Sequence, residues 1–223
     1  MTSHRRNSPI KGLYAITPDE TDTAELLRKT RLALAGGARV IQYRNKTAGE
    51  VLRLEQAGAL RKLAREFSVP LIINDDAGLA LSVDAEGVHL GNDDGGIAAA
   101  RAILGNSKLI GVSCYNRMAL AHDAVRQGAD YVAFGSFFAS AVKPGAVAAS
   151  LDLLRQARSE IDLPLVAIGG ITLLNCAQLL EAGANALAVI SAVFSAQDIQ
   201  GAARQFSNFK YPETGTIKIN RKT

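Results

Sequence analysis

Short apolar runs return along the chain about every two dozen residues, and each is followed by a stretch whose apolar positions recur at helical spacing. Eight such runs are found: Gly12–Thr17, Arg39–Arg44, Pro70–Asn74, Gly87–Leu90, Leu109–Cys114, Tyr131–Gly135, Pro164–Gly169 and Ala186–Ser191. Their near-continuous apolar character fits parallel strands covered on both faces rather than half-solvated ones. Between them, Glu25–Ala35, Glu50–Phe67, Met118–Gln127, Leu151–Arg158 and Asn175–Glu181 read as amphipathic helices. Three helical stretches run into glycine units, at Gly36-Gly37, Gly128 and Gly183, where a left-handed residue can end a helix and open the next strand. Eight regular units without a break predict an α/β fold of one domain, a closed (β/α)8 TIM barrel over 12–209. Residues 1–11 are then a flexible leading segment and 210–223 a tail, and an open doubly wound sheet is the alternative architecture.

Composition narrows the picture. Trp is absent and aromatics make up 5%, so the core has to be aliphatic. Cys114 and Cys176 have no partners at metal-ligand spacing, which argues against a disulfide framework or a zinc site. The start, MTSHRRNSPIKG, carries charge without an apolar stretch of signal-peptide length, and no run approaches the roughly 20 apolar residues of a membrane helix. A cytoplasmic protein without a membrane partner is expected. The net charge of +4 is dispersed among acidic residues rather than gathered with aromatics, so small anionic ligands are expected and nucleic acid is not.

In a barrel of this kind chemistry belongs at the carboxyl ends of the strands. Those ends are polar here: Gln42 to Lys46, Asn74-Asp75-Asp76, Asn92-Asp93-Asp94, Ser113, Lys143 beyond strand six, Gly169-Gly170, and Ile190-Ser191. Gln42, Arg44 and Lys46 alternate along an extended segment and so share a face, in a barrel whose other inward positions are expected to be aliphatic. Asp75 and Asp94 are hard oxygen ligands of the kind Mg²⁺ takes one or two of, with phosphate oxygens completing its shell. Blander readings stand beside these. Asp75 or Asp76 suits a helix N-cap, Arg44 and Lys46 suit a solvated loop, and the glycine pair suits a tight turn. His89 reads as a hydrogen-bonded barrel histidine, His122 as a solvent-facing one, and Cys114 as a small buried hydrophobe.

With these residues placed, the chain resembles the thiamine-phosphate synthase family from Gly12 to the last helix. The resemblance rests on Gln42/Arg44/Lys46, Asn74/Asp75, Gly87 to Asp94, Gly111-Val112-Ser113, the loop ending at Lys143, and Gly169-Gly170-Ile171. It implies joining of hydroxymethylpyrimidine diphosphate to a thiazole phosphate with release of pyrophosphate. Gln42, Tyr43, Arg44, Asn45, Lys46, Asn74, Ser113 and Lys143 would then hold the pyrimidine diphosphate, with Arg44, Lys46, Ser113 and Lys143 as the catalytic set. Asp75 and Asp94 would bind one Mg²⁺. Ser140, Ala141, Val142, Gly170, Ile190 and Ser191 would receive the thiazole phosphate. Where the family has a second threonine this chain has Val142, and the missing hydroxyl implies weaker thiazole phosphate binding, by roughly 1.5–3 kcal/mol. The rivals are a thiazole tautomerase on the same barrel, expected to use a histidine after strand five where this chain has Ser113-Cys114-Tyr115-Asn116, and a non-catalytic phosphate sensor. Oligomeric state is not fixed by the sequence, and a homo-oligomer is compatible with it.

Overall fold

A computed structural model describes residues 8–91, 95–139 and 148–213. Eight parallel strands close on themselves in sequence order: β1 (Gly12–Ile16), β2 (Val40–Tyr43), β3 (Leu71–Asn74), β4 (Gly87–Leu90), β5 (Leu109–Tyr115), β6 (Tyr131–Phe134), β7 (Leu165–Ile168) and β8 (Ala186–Val189). The connecting helices are α1 (Thr23–Ala35), α2 (Glu50–Glu66), α3 (Ala77–Ser82), α4 (Gly96–Leu104), α5 (Met118–Gln127), α6 (Leu151–Glu160), α7 (Cys176–Glu181), α8 (Ser191–Phe194) and α9 (Ile199–Ser207). Pairing of β8 with β1, Leu13 opposite Leu187, closes the barrel and excludes the open sheet. None of the helices among the described residues is long and apolar enough to cross a membrane.

Strand alternation splits the buried residues into two nested cores. Leu13, Ile41, Leu71, Ile73, Val132, Leu165 and Leu187 point outward and pack under the helices. Tyr14, Ile16, Val40, Ile72, Tyr131, Ala133, Val166, Ala186 and Ala188 fill the barrel interior. Ile10 belongs to the interior set and is fully buried. Burying this side chain anchors the entry to β1. Beyond α9, which ends at Ser207, the Tyr211 hydroxyl donates to the Phe206 carbonyl at 3.0 Å, and Asn185 Nδ2 donates to the Pro212 carbonyl at 3.0 Å.

Five helices end in the same turn. A left-handed residue follows the helix, and the amide after it reaches back five residues to a helical carbonyl. Gly37, Gly128 and Gly183 take this role after α1, α5 and α7, as the glycine units predict. Ser68 (φ 54°) and Asp84 (φ 54°) take it after α2 and α3, with the Val69 amide on the Ala64 carbonyl and the Ala85 amide on the Ala80 carbonyl. All five lie where a helix feeds the next strand, at the end of the barrel opposite its mouth.

Candidate active site at the barrel mouth

The second strand builds one side of the mouth. Its end is locked to the loop after β1, because the Arg44 amide donates to Thr17 Oγ1 (2.9 Å) and the same hydroxyl donates back to the Arg44 carbonyl (3.0 Å). Asp19 in that loop accepts from Arg44 Nη1 (3.2 Å) and from the Lys46 amide (2.9 Å). The Arg44 side chain is only 16% exposed, which separates it from a solvated loop charge. Lys46 Nζ lies 3.8 Å from Asp75 Oδ2, joining the ends of β2 and β3 across the rim.

Two neighbours expected at the substrate turn the other way. Tyr43 is buried in the outer core, where its hydroxyl donates to Gln56 Oε1 on α2 (2.8 Å). Asn45 Nδ2 donates to the Glu20 carbonyl (2.7 Å) and to Gln56, while its Oδ1 accepts from the Thr47 and Ala48 amides. The side chains of Tyr43 and Asn45 thus support the rim from its outer side. The cause is strand alternation, which sends odd and even positions to opposite faces.

At β3 the two aspartates divide their roles. Asp76 caps α3 through the Leu79 amide (2.8 Å) and pairs with Arg53. Asp75 stands before it in a left-handed conformation (φ 64°), its amide donating to the His89 carbonyl (2.8 Å) and its carboxylate toward Lys46. A cavity of about 460 Å³ opens beside it, bounded by Arg53, Asp75, Asp76, Gly78, Gly95 and Ile103. Asp94, the other expected carboxylate, lies outside the described residues.

The floor of the mouth is polar, contrary to the expected aliphatic interior. Gln42 Nε2 donates to the Tyr14 hydroxyl (2.8 Å), which is 2.9 Å from the Tyr131 hydroxyl. His89 Nδ1 is 3.1 Å from Tyr131, and His89 Nε2 is 2.9 Å from Ser113 Oγ. His89, Gly111 and Tyr131 are in register across β4, β5 and β6. Gly111 makes that layer fit, since a Cβ there would fall 1.9 Å from Tyr131 Cζ. Burial pushes both phenols far up from their ordinary range, so each keeps its proton. Asn74 follows inward-facing Ile72 by one alternation and pairs in register with His89. Gln42, Asn74 and Ser113 thus face one interior.

On the far side, Gly169 and Gly170 follow β7 with φ values of 103° and 60°. A side chain on Gly170 would strike the Ala139 carbonyl at 2.4 Å, so the pair also serves close packing of the β6 loop. Asn175 holds the turn by donating to the Gly170 carbonyl (3.0 Å) and accepting from the Thr172 amide (2.8 Å). Ile190 closes the inner core on this side and exposed Ser191 begins α8. Ser140, Ala141, Val142 and Lys143 lie outside the described residues.

Cations, a carboxylate and inward hydrogen-bond donors on one rim suit an anionic leaving group better than a protein nucleophile. Cys114 is buried and its thiol is pushed up to about 12 by desolvation. His122 sits on the outer surface, 2.9 Å from Glu160. Asp19, Tyr14 and Tyr131 are participants that the sequence pattern did not single out. An inward tyrosine in an aliphatic run was the available signal, because a buried phenol needs a partner for its hydroxyl.

Comparison with known proteins gives this arrangement a context. The family model described as thiamine monophosphate synthase matches residues 13–193. A thiamine-phosphate synthase of Methylobacillus flagellatus is 58% identical over 206 residues, covering 92% of this chain and 98% of the relative. One from Nitrosospira multiformis is 56% identical over 198 residues, covering 89% and 85%. Among solved structures, thiamine phosphate pyrophosphorylase from Pyrococcus furiosus superposes with a TM-score of 0.80 at 36% identity, covering 92% of this chain and 96% of that one.

Proposed function

The chain belongs to the thiamine monophosphate synthase family, and we propose that it joins 4-amino-2-methyl-5-hydroxymethylpyrimidine diphosphate to a thiazole phosphate by Mg²⁺-assisted ionisation of the diphosphate. Thiamine-phosphate synthase activity, a transfer reaction of thiamine biosynthesis, is the shared function of its relatives. The observation that carries the mechanistic reading is the 3.8 Å approach of Lys46 to Asp75, beside an Arg44 already aimed by Asp19.

Asp75 fits a divalent cation. The helix-capping duty next to it falls to Asp76, and the Asp75 carboxylate stands at a partly exposed rim position, 3.8 Å from Lys46 Nζ. Mg²⁺ leans on one or two carboxylates and takes its remaining oxygens from water and phosphate; Asp94 is the second ligand in this proposal. When bound, the ion supplies neutralisation of the charge growing on the departing diphosphate. Arg44, Lys46 and Lys143 bind the same oxygens, and Arg44 is already oriented for it by Asp19. Gln42, Asn74 and Ser113 orient the pyrimidine diphosphate from the floor. Loss of diphosphate leaves a pyrimidine-methyl cation stabilised by its ring, and the thiazole nitrogen captures it, so no covalent enzyme intermediate is needed. Ser140, Ala141, Val142, Gly170, Ile190 and Ser191 receive the thiazole phosphate, with Val142 weakening that contact.

The test incubates purified protein with both substrates and follows thiamine phosphate and pyrophosphate, with Mg²⁺ and after chelation. Product in equal amounts with pyrophosphate, lost on chelation and restored by Mg²⁺, is expected. Asp75→Asn should raise the Mg²⁺ concentration needed for half-maximal rate and weaken Mg²⁺ binding in calorimetry. Full turnover without a divalent ion would remove the metal from the reading, and absence of product under all conditions would remove the reaction.

A further inference from the structure

We propose that Tyr14, Tyr131 and His89 are positioning residues that fix the Ser113 hydroxyl as a hydrogen-bond donor toward the substrate. The inference rests on the reading above, in which Ser113 touches the pyrimidine diphosphate. What it adds is a direction to the polar chain across the barrel floor.

Direction follows from counting donors. Gln42 presents its amide nitrogen to Tyr14, so the Tyr14 oxygen accepts there. The buried Tyr14 hydroxyl then has one acceptor within reach among the described residues, Tyr131, and gives its proton to it. Tyr131, having accepted, donates to His89 Nδ1. A neutral imidazole that accepts at Nδ1 carries its proton on Nε2, and Nε2 faces Ser113 Oγ. A serine oxygen that accepts from histidine still holds its own proton, and Ser113 sits at the carboxyl end of the strand segment that faces the mouth. Each link is 2.8–3.1 Å, and each except Ser113 is buried in the barrel.

The geometry is held from outside the chain as well. The His89 and Tyr131 rings stack with centroids 5.5 Å apart, and the space over Gly111 is occupied by the Tyr131 ring. Neither ring can rotate freely, so the order of donors is carried by rigid groups. Reversal of one link would put two protons between the same pair of oxygens, or leave a buried phenol without an acceptor. The consequence for the reaction is a serine that offers a proton to diphosphate oxygens rather than taking one from them.

Two measurements test this on the full chain. Nitrogen-15 spectra of the three histidines, with His89 assigned by its loss in His89→Gln, should show the Nε2–H tautomer; an Nδ1–H tautomer overturns the proposal, since the whole chain then runs backwards. In a double-mutant cycle, Tyr131→Phe should lower kcat roughly tenfold with the KM for thiazole phosphate unchanged, and should cost nothing further in a Ser113→Ala background. Multiplying losses would show a structural effect independent of Ser113 and also overturn it. If Tyr131→Phe does not fold, Tyr14→Phe at the other end of the chain replaces it in the same cycle. Should the wild type make no thiamine phosphate, the reaction assignment fails while the tautomer spectrum still decides the direction.

Discussion

Asp19 holds Arg44: a single carboxylate oxygen, Oδ1, takes the guanidinium at 3.2 Å and the amide two residues on, that of Lys46, at 2.9 Å. One loop residue thus sets the direction of one cation and the backbone of the next. Asp19→Ala should raise the KM for the pyrimidine diphosphate about five- to tenfold, because a cation that must be reoriented on binding loses part of its benefit. Stability should change by less than about 1 kcal/mol, since partly exposed ion pairs contribute little. Steady-state kinetics and thermal melts check both halves, and an unchanged KM would strip Asp19 of this role.

Two glycines should respond with opposite sign. Gly111→Ala would press its Cβ into the Tyr131 ring, and overpacking of this kind costs about 1–3 kcal/mol. Gly58 lies inside α2 with nothing within 4 Å of the position a Cβ would take. Gly58→Ala should therefore stabilise by about 0.5–1 kcal/mol through helix propensity. Denaturant titration of both variants beside the wild type gives the answer; Gly111→Ala at wild-type stability would mean that the Tyr131 ring has room to yield.

Ser68 adopts φ 54° in the turn that ends α2, a conformation that glycine takes without steric cost. Ser68→Gly should raise the melting temperature by about 1–4 °C for a chain of this size. A lower melting temperature would show that the serine side chain contributes more than its backbone costs.

Alkaline pH should unfold the barrel before it exposes any reactive group. Burial raises Cys114 from 9.0 to about 12 and Tyr43 from 10.0 to about 12, and it raises Tyr14, Tyr131 and Tyr211 too. A raised folded-state pKa means that the native state binds protons more tightly. Its contribution is fully present below the unfolded values of 9.0 and 10.0 and is lost as pH climbs toward 12. Stability from denaturant titration should be flat near neutrality and fall from about pH 9 upward. Tyrosinate absorbance should appear together with unfolding, and a gradual rise in the folded protein would contradict the burial of these phenols.

The barrel was legible because periodicity is a property of every strand and helix, and eight repeats leave little freedom in how they pack. The glycine-ended helices were legible for the same reason at Gly37, Gly128 and Gly183. Ser68 and Asp84 were not, since nothing in a polar residue announces a left-handed backbone. At the mouth, alternation grouped Gln42, Arg44 and Lys46, and the same rule turns Tyr43 and Asn45 outward, although family resemblance had included them. Tyr14 and Tyr131 were hidden because an aromatic residue in an apolar strand reads as packing until its hydroxyl partner is known. Asp19 was hidden because an acidic residue in a loop reads as solvated, and only the fold brings it to Arg44.

The five helix-ending turns all sit on the rim facing away from the mouth. The devices that stop these five helices and aim the strands after them are therefore segregated from the segments that meet ligands. Substitutions or loop exchanges on the ligand side leave those devices in place, and this base is suited to carry grafted loops with altered substrate preference.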